Sequence, residues 1–381
     1  MKEVKFIAFY DVSNSEEKRN VSLAATSKLD YLLKTIDGLG YEISVISASN
    51  TIGKKSIKKK KMSIFSNSSL LFFNSIGTSN KFFRKLSNLY YKLQLYIYLL
   101  RNIKEEDVVI VYHSLLYMNF IKLLKKIKKF HFILEAEEIY GDVKNNKRIA
   151  KKELRFFKSA DRYLFPTELM NKRIDNNLKP YIICHGVYSL EQILTEKFND
   201  GRLHCVYAGT FDHNKGGAQM AVKTALFLNS NYHLHILGFG GSEDTNNLIS
   251  LIKDTQLKTK CCISFEGKKT GSEYIKFLQQ CHVGLSTQTS IGDYNDSSFP
   301  SKVLSYLSNG LAVVSIKIPV VVTSAIADCV EMYDSNDPKS VATAIINAGI
   351  NKVGLGRDRI IQLDKEIKPH LNDLLIFERN E

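Results

Sequence analysis

Two stretches of this chain set glycine, lysine and hydroxyl side chains where a strand gives way to a helix, which is an arrangement that holds anions. In the first, a β-branched and aromatic run from Leu203 to Tyr207 ends at Gly209, passes Thr210 and Lys215, and leads into a helix expected from about Gly217 through Leu228. Glycine lets the backbone turn sharply there, and a helix start presents unpaired N–H groups at the positive end of its dipole. Lys215 stands within reach of an anion held by those amides. In the second, Pro300 suits the first turn of a helix that Asp296, Ser297 or Ser298 would cap, with Ser301 and Lys302 in that turn. A lysine beside the positive end of a dipole is electrostatically unfavourable, so an anionic ligand accounts for it. The helix should run to about Asn309 and stop at Gly310, ahead of a buried strand from Leu311 to Ile316. Either stretch alone also fits an ordinary strand-to-helix turn with a solvated lysine. Taken together they suit a nucleotide diphosphate. Neither is a Walker loop or a dinucleotide fingerprint, because the chain has no GxxxxGK[ST] and no GxGxxG after a strand.

Five segments in order carry a family likeness: Tyr207 to Thr210 with Asn214 to Gly216, His233 to Gly240, Ile263 to Gly267, Cys281 to Ser286, and Phe299 to Ser315. On these the C-terminal half resembles the donor-binding domain of GT-B glycosyltransferases, especially the family 4 group and its relatives in bacterial polysaccharide synthesis. The resemblance implies an α/β chain of two Rossmann-like domains facing a cleft: an acceptor-side domain over 1–197, a nucleotide-sugar donor domain over 198–353, and a segment 354–381 packing back on the first. It implies that Lys215, beside Gly209 and Thr210, contacts the donor diphosphate, that Gly238, Phe239 and Gly240 line the nucleotide cleft, and that Lys268 lies near the base. Ser301 and Lys302 again face phosphate. The chain departs from the family at Thr210, where relatives carry a basic residue, and at Ser297 and Ser305, where they carry glutamates. Sugar contacts then pass to Asp293 or Asp296. No metal and no cofactor is expected, since Lys215, Lys302 and the helix dipoles can stabilise the leaving diphosphate.

The elements that must position these groups alternate. In the first half, strands are expected at Val4 to Tyr10, Glu42 to Ser47, Asp107 to Tyr112, Phe130 to Leu134, Arg162 to Phe165 and Tyr181 to His185, with helices at Val21 to Leu39 and near Ala150 to Ser159. Strands alternating with helices imply a doubly wound parallel sheet, whose ligands bind beyond the carboxyl ends of the strands. His113 closes one such strand and Glu135 another. In the family a histidine so placed faces the donor sugar or the acceptor; by itself it is as often structural. Glu135, Glu137 and Glu138 crowd three carboxylates into four residues, which either raises a pKa and creates a general base or splays into solvent. Glu135 or Glu138 is the acceptor-side candidate.

Composition bounds the remaining choices. A length of 381 residues fits about two domains, and 44% hydrophobic residues is ample for packed cores. No run of 18 uncharged apolar residues and no secretory h-region occurs, so a cytoplasmic protein is expected. Six cysteines without a CxxC pair read as buried free thiols, and the scattered His and Cys residues encode no metal site by spacing. The formal charge of +14 concentrates in the first half, in Lys54 to Lys61 and from Lys81 to Lys104. The second of these mixes lysines with Phe82, Phe83, Leu86, Leu89, Tyr90, Leu93, Tyr96, Ile97 and Leu100, and forms an amphipathic helix. Its apolar stripe either packs on the N-terminal sheet, the commoner fate, or meets an anionic membrane at the inner face of the cell membrane. Nucleic acid is disfavoured for want of any recognisable binding motif. The partners expected are a nucleotide sugar as donor and a glycan or polyprenyl-linked glycan as acceptor. Two rivals stand beside this: a nucleotide-sugar epimerase on the same fold, and a non-catalytic binding or scaffold subunit.

Overall fold

The computed structural model describes residues 2–12, 15–174, 179–213, 216–289, 293–349 and 351–377, without the side chains of 23, 24, 293 and 294. The chain divides into two compact units, one of Met1–His185 with Glu366–Glu381, the other of Gly186–Lys365. In the first unit the described residues form β1 (Glu3–Ala8), β2 (Glu42–Ser47), β3 (Lys60–Ser63), β4 (Ser68–Phe72), β5 (Val108–Tyr112), β6 (His131–Glu135), β7 (Arg162–Phe165) and β8 (Tyr181–Ile183). These lie in one sheet in the order β3-β4-β2-β1-β5-β6-β7-β8. All neighbours are parallel except β3 and β4. Strands buried on both faces read as near-continuous apolar runs, as Phe6-Ile7-Ala8 and Val109-Ile110-Val111 do. One face packs the helices Lys81–Asn102, Met118–Lys128 and Lys147–Phe157 through Leu95, Leu99, Ile121, Leu124, Phe156 and Phe157. The other packs the helix Leu23–Gly38 through Leu29, Leu33 and Ile36.

The second unit is a six-stranded parallel sheet in the order β11-β10-β9-β12-β13-β14, formed by β9 (Leu203–Thr210), β10 (Tyr232–Phe239), β11 (Cys262–Gly267), β12 (Val283–Ser286), β13 (Ala312–Ile316) and β14 (Val330–Tyr333). Residues 186–197 belong here rather than to the first unit. Leu194 N–H donates to Gln279 Oε1 (2.8 Å), Gln279 Nε2 to Gln192 O (2.7 Å), and Lys197 Nζ to Cys281 O (2.6 Å). The helix Gly356–Leu375 begins in this unit, with Arg357 donating to Ser308 O and Glu191 O, and ends in the first. There Leu371, Leu374 and Leu375 join the apolar core, Asn372 accepts from the Tyr41 hydroxyl (3.0 Å), and Phe377 stacks on His131.

Two elements differ from sequence expectation. The lysine-rich stretch Lys54 to Lys61, for which no element is expected above, runs into β3, which pairs antiparallel with β4 at the sheet edge. Lysines on an edge strand oppose pairing with another chain, so their solubility signal hid a strand. The amphipathic helix Lys81–Asn102 is capped by Asn80, whose side chain accepts from Phe82 N–H (2.8 Å) and Phe83 N–H (3.3 Å). It packs through Ser87, Tyr91, Leu95 and Leu99. Tyr96 and Tyr98 pack partly against the same core, but the rest of the stripe does not: Phe82 is 64% exposed, Leu89 63%, and Phe83, Leu86, Tyr90, Leu93, Ile97 and Leu100 are also exposed. Among the described residues no helix is long and apolar enough to cross a membrane.

If the C-terminal residues hold the first unit together, Leu371→Ala should lower the stability of that unit by about 2–5 kcal/mol, as other buried Leu truncations do. Denaturant unfolding followed by a probe in each unit would check it; an unchanged first-unit midpoint would mean the segment contributes nothing there.

Candidate functional site

At the carboxyl edge of the second sheet, β9 and β10 end in register, with Gly209 beside Gly238 and Thr210 beside Phe239. Gly238 has φ +147°, and a Cβ there would lie 1.8 Å from Gly209 O, so only glycine closes this approach. A Cβ on Gly209 would come 2.9 Å from Lys302 Nζ. The space left by that missing side chain is therefore where the lysine ends. Its position is set by the helix Ser301–Ser308, which Tyr306 fixes to the sheet. The Ala208 N–H donates to the Tyr306 hydroxyl (2.8 Å), and the ring fills the place a side chain on Gly284 of β12 would need.

Lys302 is half-buried as a residue, but its ammonium is enclosed, 4.2 Å from the centroid of the buried Tyr207 ring. Burial pushes it down to about 8. Among the described residues none offers it a carboxylate or a hydrogen bond, and the Tyr207 face is the one electrostatic contact it has. An enclosed cation without a counter-charge among the described residues, at the first turn of a helix and beside glycine backbone, has the chemistry to hold an anion.

The other expected donor-side residues are placed around this edge. Thr210 is exposed, and the Tyr207 hydroxyl donates to its carbonyl (2.9 Å). Phe239 is 47% exposed, with Lys268 Nζ 5.2 Å from its ring centroid. Gly240 packs closely on Phe211. Ser301 and Asp296 are exposed, and Ser297 is buried. Pro300 is the residue before the helix rather than its first turn, and Gly310 ends it with φ +77°. Lys215 lies outside the described residues, as does the side chain of Asp293. The helix Gly217–Thr224 is shorter than expected and tightens into a 3-10 turn over Ala225–Phe227. Tyr207 and Tyr306, which shape the room around Lys302, stand in two of the segments that carry the family likeness, but nothing in the sequence singles either out.

In the first unit His113 is 1% exposed, so the expectation that it faces a sugar meets a buried ring. Its Nε2 is 2.6 Å from Glu153 Oε1, and Glu153, itself fully buried, also accepts from Tyr140 N–H (2.9 Å) and Gly141 N–H (2.7 Å). Burial pushes the His113 pKa down. This pair ties the end of β5 to the segment that follows the glutamate cluster.

Glu135 is fully buried at the end of β6. Burial, and then the charge of Glu137, raise its pKa well above the carboxylate range. Lys28, on the helix Leu23–Gly38, is 3% exposed, contacts Glu137, donates to Cys184 O (2.9 Å), and lies 3.5 Å from Glu135. Burial alone would lower Lys28; Glu137, with Cys184 and Glu135, more than reverses this. Lys28 thus faces both acids, and burial sets Glu135 apart by raising its pKa. Glu138 is half-buried. Neither Lys28 nor Glu153 was legible as a site residue, because each reaches the strand ends from a distant helix.

The histidines read as scattered are not so in space: His204, His233 and His235 bring one ring nitrogen each to within 4.8 Å of the others. All six cysteines are free thiols.

No protein-family model matches the sequence, and no curated protein does either. Solved structures do match. One is the E. coli trehalose-6-phosphate structure bound with UDP-2-fluoro glucose (TM-score 0.69, 10% identity, 99% of this chain and 100% of that one). Another is an alpha,alpha-trehalose-phosphate synthase (UDP-forming) from Burkholderia xenovorans in complex with glucose-6-phosphate (TM-score 0.68, 10% identity, 98% of this chain and 99% of that one). A third is the N-terminal domain of a Candida albicans trehalose-6-phosphate phosphatase (TM-score 0.67, 10% identity, 98% of this chain and 97% of that one). At such identity the likeness establishes the fold, which is the GT-B type built from two Rossmann-like units.

Two outcomes test these electrostatic environments. Lys302→Met removes an enclosed, unpaired charge and should raise the melting temperature of the ligand-free protein at pH 7. Because the folded pKa lies below the ordinary 10.5, the wild type regains this difference as pH rises from about 8 toward 10.5. Lys28→Ala leaves the half-buried Glu137 without its cation and should cost about 1–3 kcal/mol in denaturant titration, less than breaking a fully buried pair. Glu135→Gln should be neutral or stabilising at pH 7, with any gain vanishing as pH falls through the usual 4.5, since Glu135 is penalised only where the unfolded chain ionises and it does not.

Proposed function

We propose that this chain transfers a sugar from a nucleotide-diphosphate donor, held by the second unit, to a glycan acceptor served by the first. The observation that carries the reading is the enclosed, unpaired Lys302 ammonium beside Gly209 at the start of a helix. As the glycosidic bond breaks, negative charge grows on the departing diphosphate. A pre-placed cation and helix amides lower the energy of that state without rearranging solvent. Lys215 would add a second cation from the neighbouring loop, with Thr210 and Gly209 giving backbone access. Phe239 with Lys268 above it offers a face on which a nucleotide base can stack. That matching structures of 10% identity carry UDP-2-fluoro glucose and glucose-6-phosphate supports a donor and acceptor of these classes.

On the acceptor side, Glu135 or Glu138 is the candidate to take the proton from the attacking hydroxyl. His113 acts as a positioning residue, since its bond to Glu153 holds the Tyr140–Gly141 backbone next to that cluster. The finer reading is a family 4-like enzyme of surface polysaccharide synthesis working on a lipid-linked glycan. The exposed Phe82, Phe83, Leu86, Leu89 and Leu93, flanked by Lys81, Arg84, Lys85 and Lys92, support it as a surface for an anionic bilayer.

One observation favours a second reading, a binding subunit without turnover: Ser297 and Ser305 occupy the places of the family's glutamates. The same fold also occurs in the N-terminal domain of a protein named as a phosphatase.

Thermal shift against UDP-, GDP-, dTDP- and CMP-sugars separates these readings. A donor at 100 times its Kd should add about 2.7 kcal/mol, and Lys302→Met and Lys215→Ala should each lose the shift although the first is the more stable protein. Binding without transfer to any glycan or sugar-phosphate acceptor would favour the subunit; no shift with any donor would sink both. Sedimentation with vesicles of phosphatidylserine and phosphatidylcholine should pull the protein down and release it at high salt, and Phe82→Asp with Phe83→Asp should abolish this. Equal binding by that variant would remove the helix from any membrane role.

A further inference from the structure

The three converging histidines lie in the amino-terminal halves of β9 and β10, about 10–17 Å along the strands from the glycine and lysine edge. His204 and His233 are in register, and His235 stands two residues on, so all three project from one face of the sheet. Their hydrogen bonds form a chain. Asp200 Oδ1 is 2.8 Å from His204 Nε2, His204 Nδ1 is 2.8 Å from His235 Nε2, and His235 Nδ1 is 2.8 Å from Glu266 Oε1. His233 Nε2 is 2.7 Å from Ser264 Oγ, while its buried Nδ1 has no hydrogen-bond partner.

Counting protons shows what this chain lacks. Three contacts run from one carboxylate to the other, and two neutral imidazoles supply two protons. If both outer nitrogens donate to Asp200 and Glu266, the inner pair face each other at 2.8 Å with two lone pairs. If the inner pair shares a proton, one outer lone pair faces a carboxylate instead. One positive charge is missing between the rings. A divalent ion between the rings would supply that charge and let both outer nitrogens donate to the carboxylates.

We propose that His204, His233 and His235 bind one divalent transition-metal ion such as Zn2+ through their inner nitrogens, with Asp200, Glu266 and Ser264 orienting the rings from outside. Neutral imidazoles suit such ions, and a ligating histidine whose other nitrogen donates to a carboxylate is the usual outer arrangement. Three protein ligands leave a fourth position, and the half-buried His233 opens the site to solvent. The ion would cross-link β9 and β10 at the edge remote from the donor pocket, as a clamp on the sheet rather than a participant in transfer.

The test uses the full chain, stripped with a chelator and returned to metal-free buffer. Calorimetric titration with Zn2+ should give one ion per chain with a rise in melting temperature, and Co2+ should give visible bands of nitrogen ligation without the near-ultraviolet band of a thiolate. Asp200→Asn should weaken Zn2+ about 10–100-fold, and His233→Gln or His235→Gln should weaken it further. His233 is the less buried of the two, so its variant keeps the test informative if His235→Gln does not fold. In the wild type, imidazole nitrogen resonances of the three rings should shift with Zn2+ whether or not any variant is stable. No stoichiometric binding, thiolate bands with Co2+, or wild-type affinity in folded His233→Gln would overturn the proposal.

Discussion

The second unit depends on a side chain that is missing. Because Gly209 and Gly238 carry none, β9 and β10 can end against each other, and the room beside Gly209 admits the Lys302 ammonium. Any larger residue at either position would separate the strands or expel the lysine. Among the described residues no acid offsets the desolvation of this enclosed charge, which marks it as a candidate ligand site. Tyr306 makes the arrangement rigid, since one buried hydroxyl and one ring hold the helix start to β9 and β12 together.

The first unit handles buried charge in the opposite way. Lys28, Glu135 and Glu137 meet at the end of β6, and His113 with Glu153 at the end of β5, so each buried acid is brought in with a partner. Burial raises the pKa of Glu135 well above the carboxylate range, and a carboxyl so shifted at a strand end is the usual raw material of acid and base roles. The same strand ends in both units thus carry the polar groups, because in a parallel sheet the carboxyl edge is where loops leave the core and backbone amides are free.

The two histidine environments differ in kind. His113 has one acid partner and sits among aromatic rings, which makes it a tie between elements. His204 and His235 form a line with acids at both ends, with the unpartnered Nδ1 of His233 beside it, which is the arrangement proposed to take an ion. Burial is similar for His113, His204 and His235; the partners decide the role.

What the sequence determined by itself is local. The alternation of apolar strands and amphipathic helices, the stop at Gly310, and the glycine-rich ends of β9 and β10 each follow from residues within a few positions of one another, so they could be read along the chain. The lysine run showed where a strand was disfavoured by composition but not that β4 would pair with it, since an edge strand is made by its neighbour. Only the tertiary structure decided that Lys302 is enclosed, that Lys28 and Glu153 join the strand ends from distant helices, that half of an amphipathic helix stays exposed, and that three histidines converge. Each of these is set by contacts between residues far apart in the chain. Side-chain burial and charge pairing are properties of those contacts, and the order of the residues alone does not carry them.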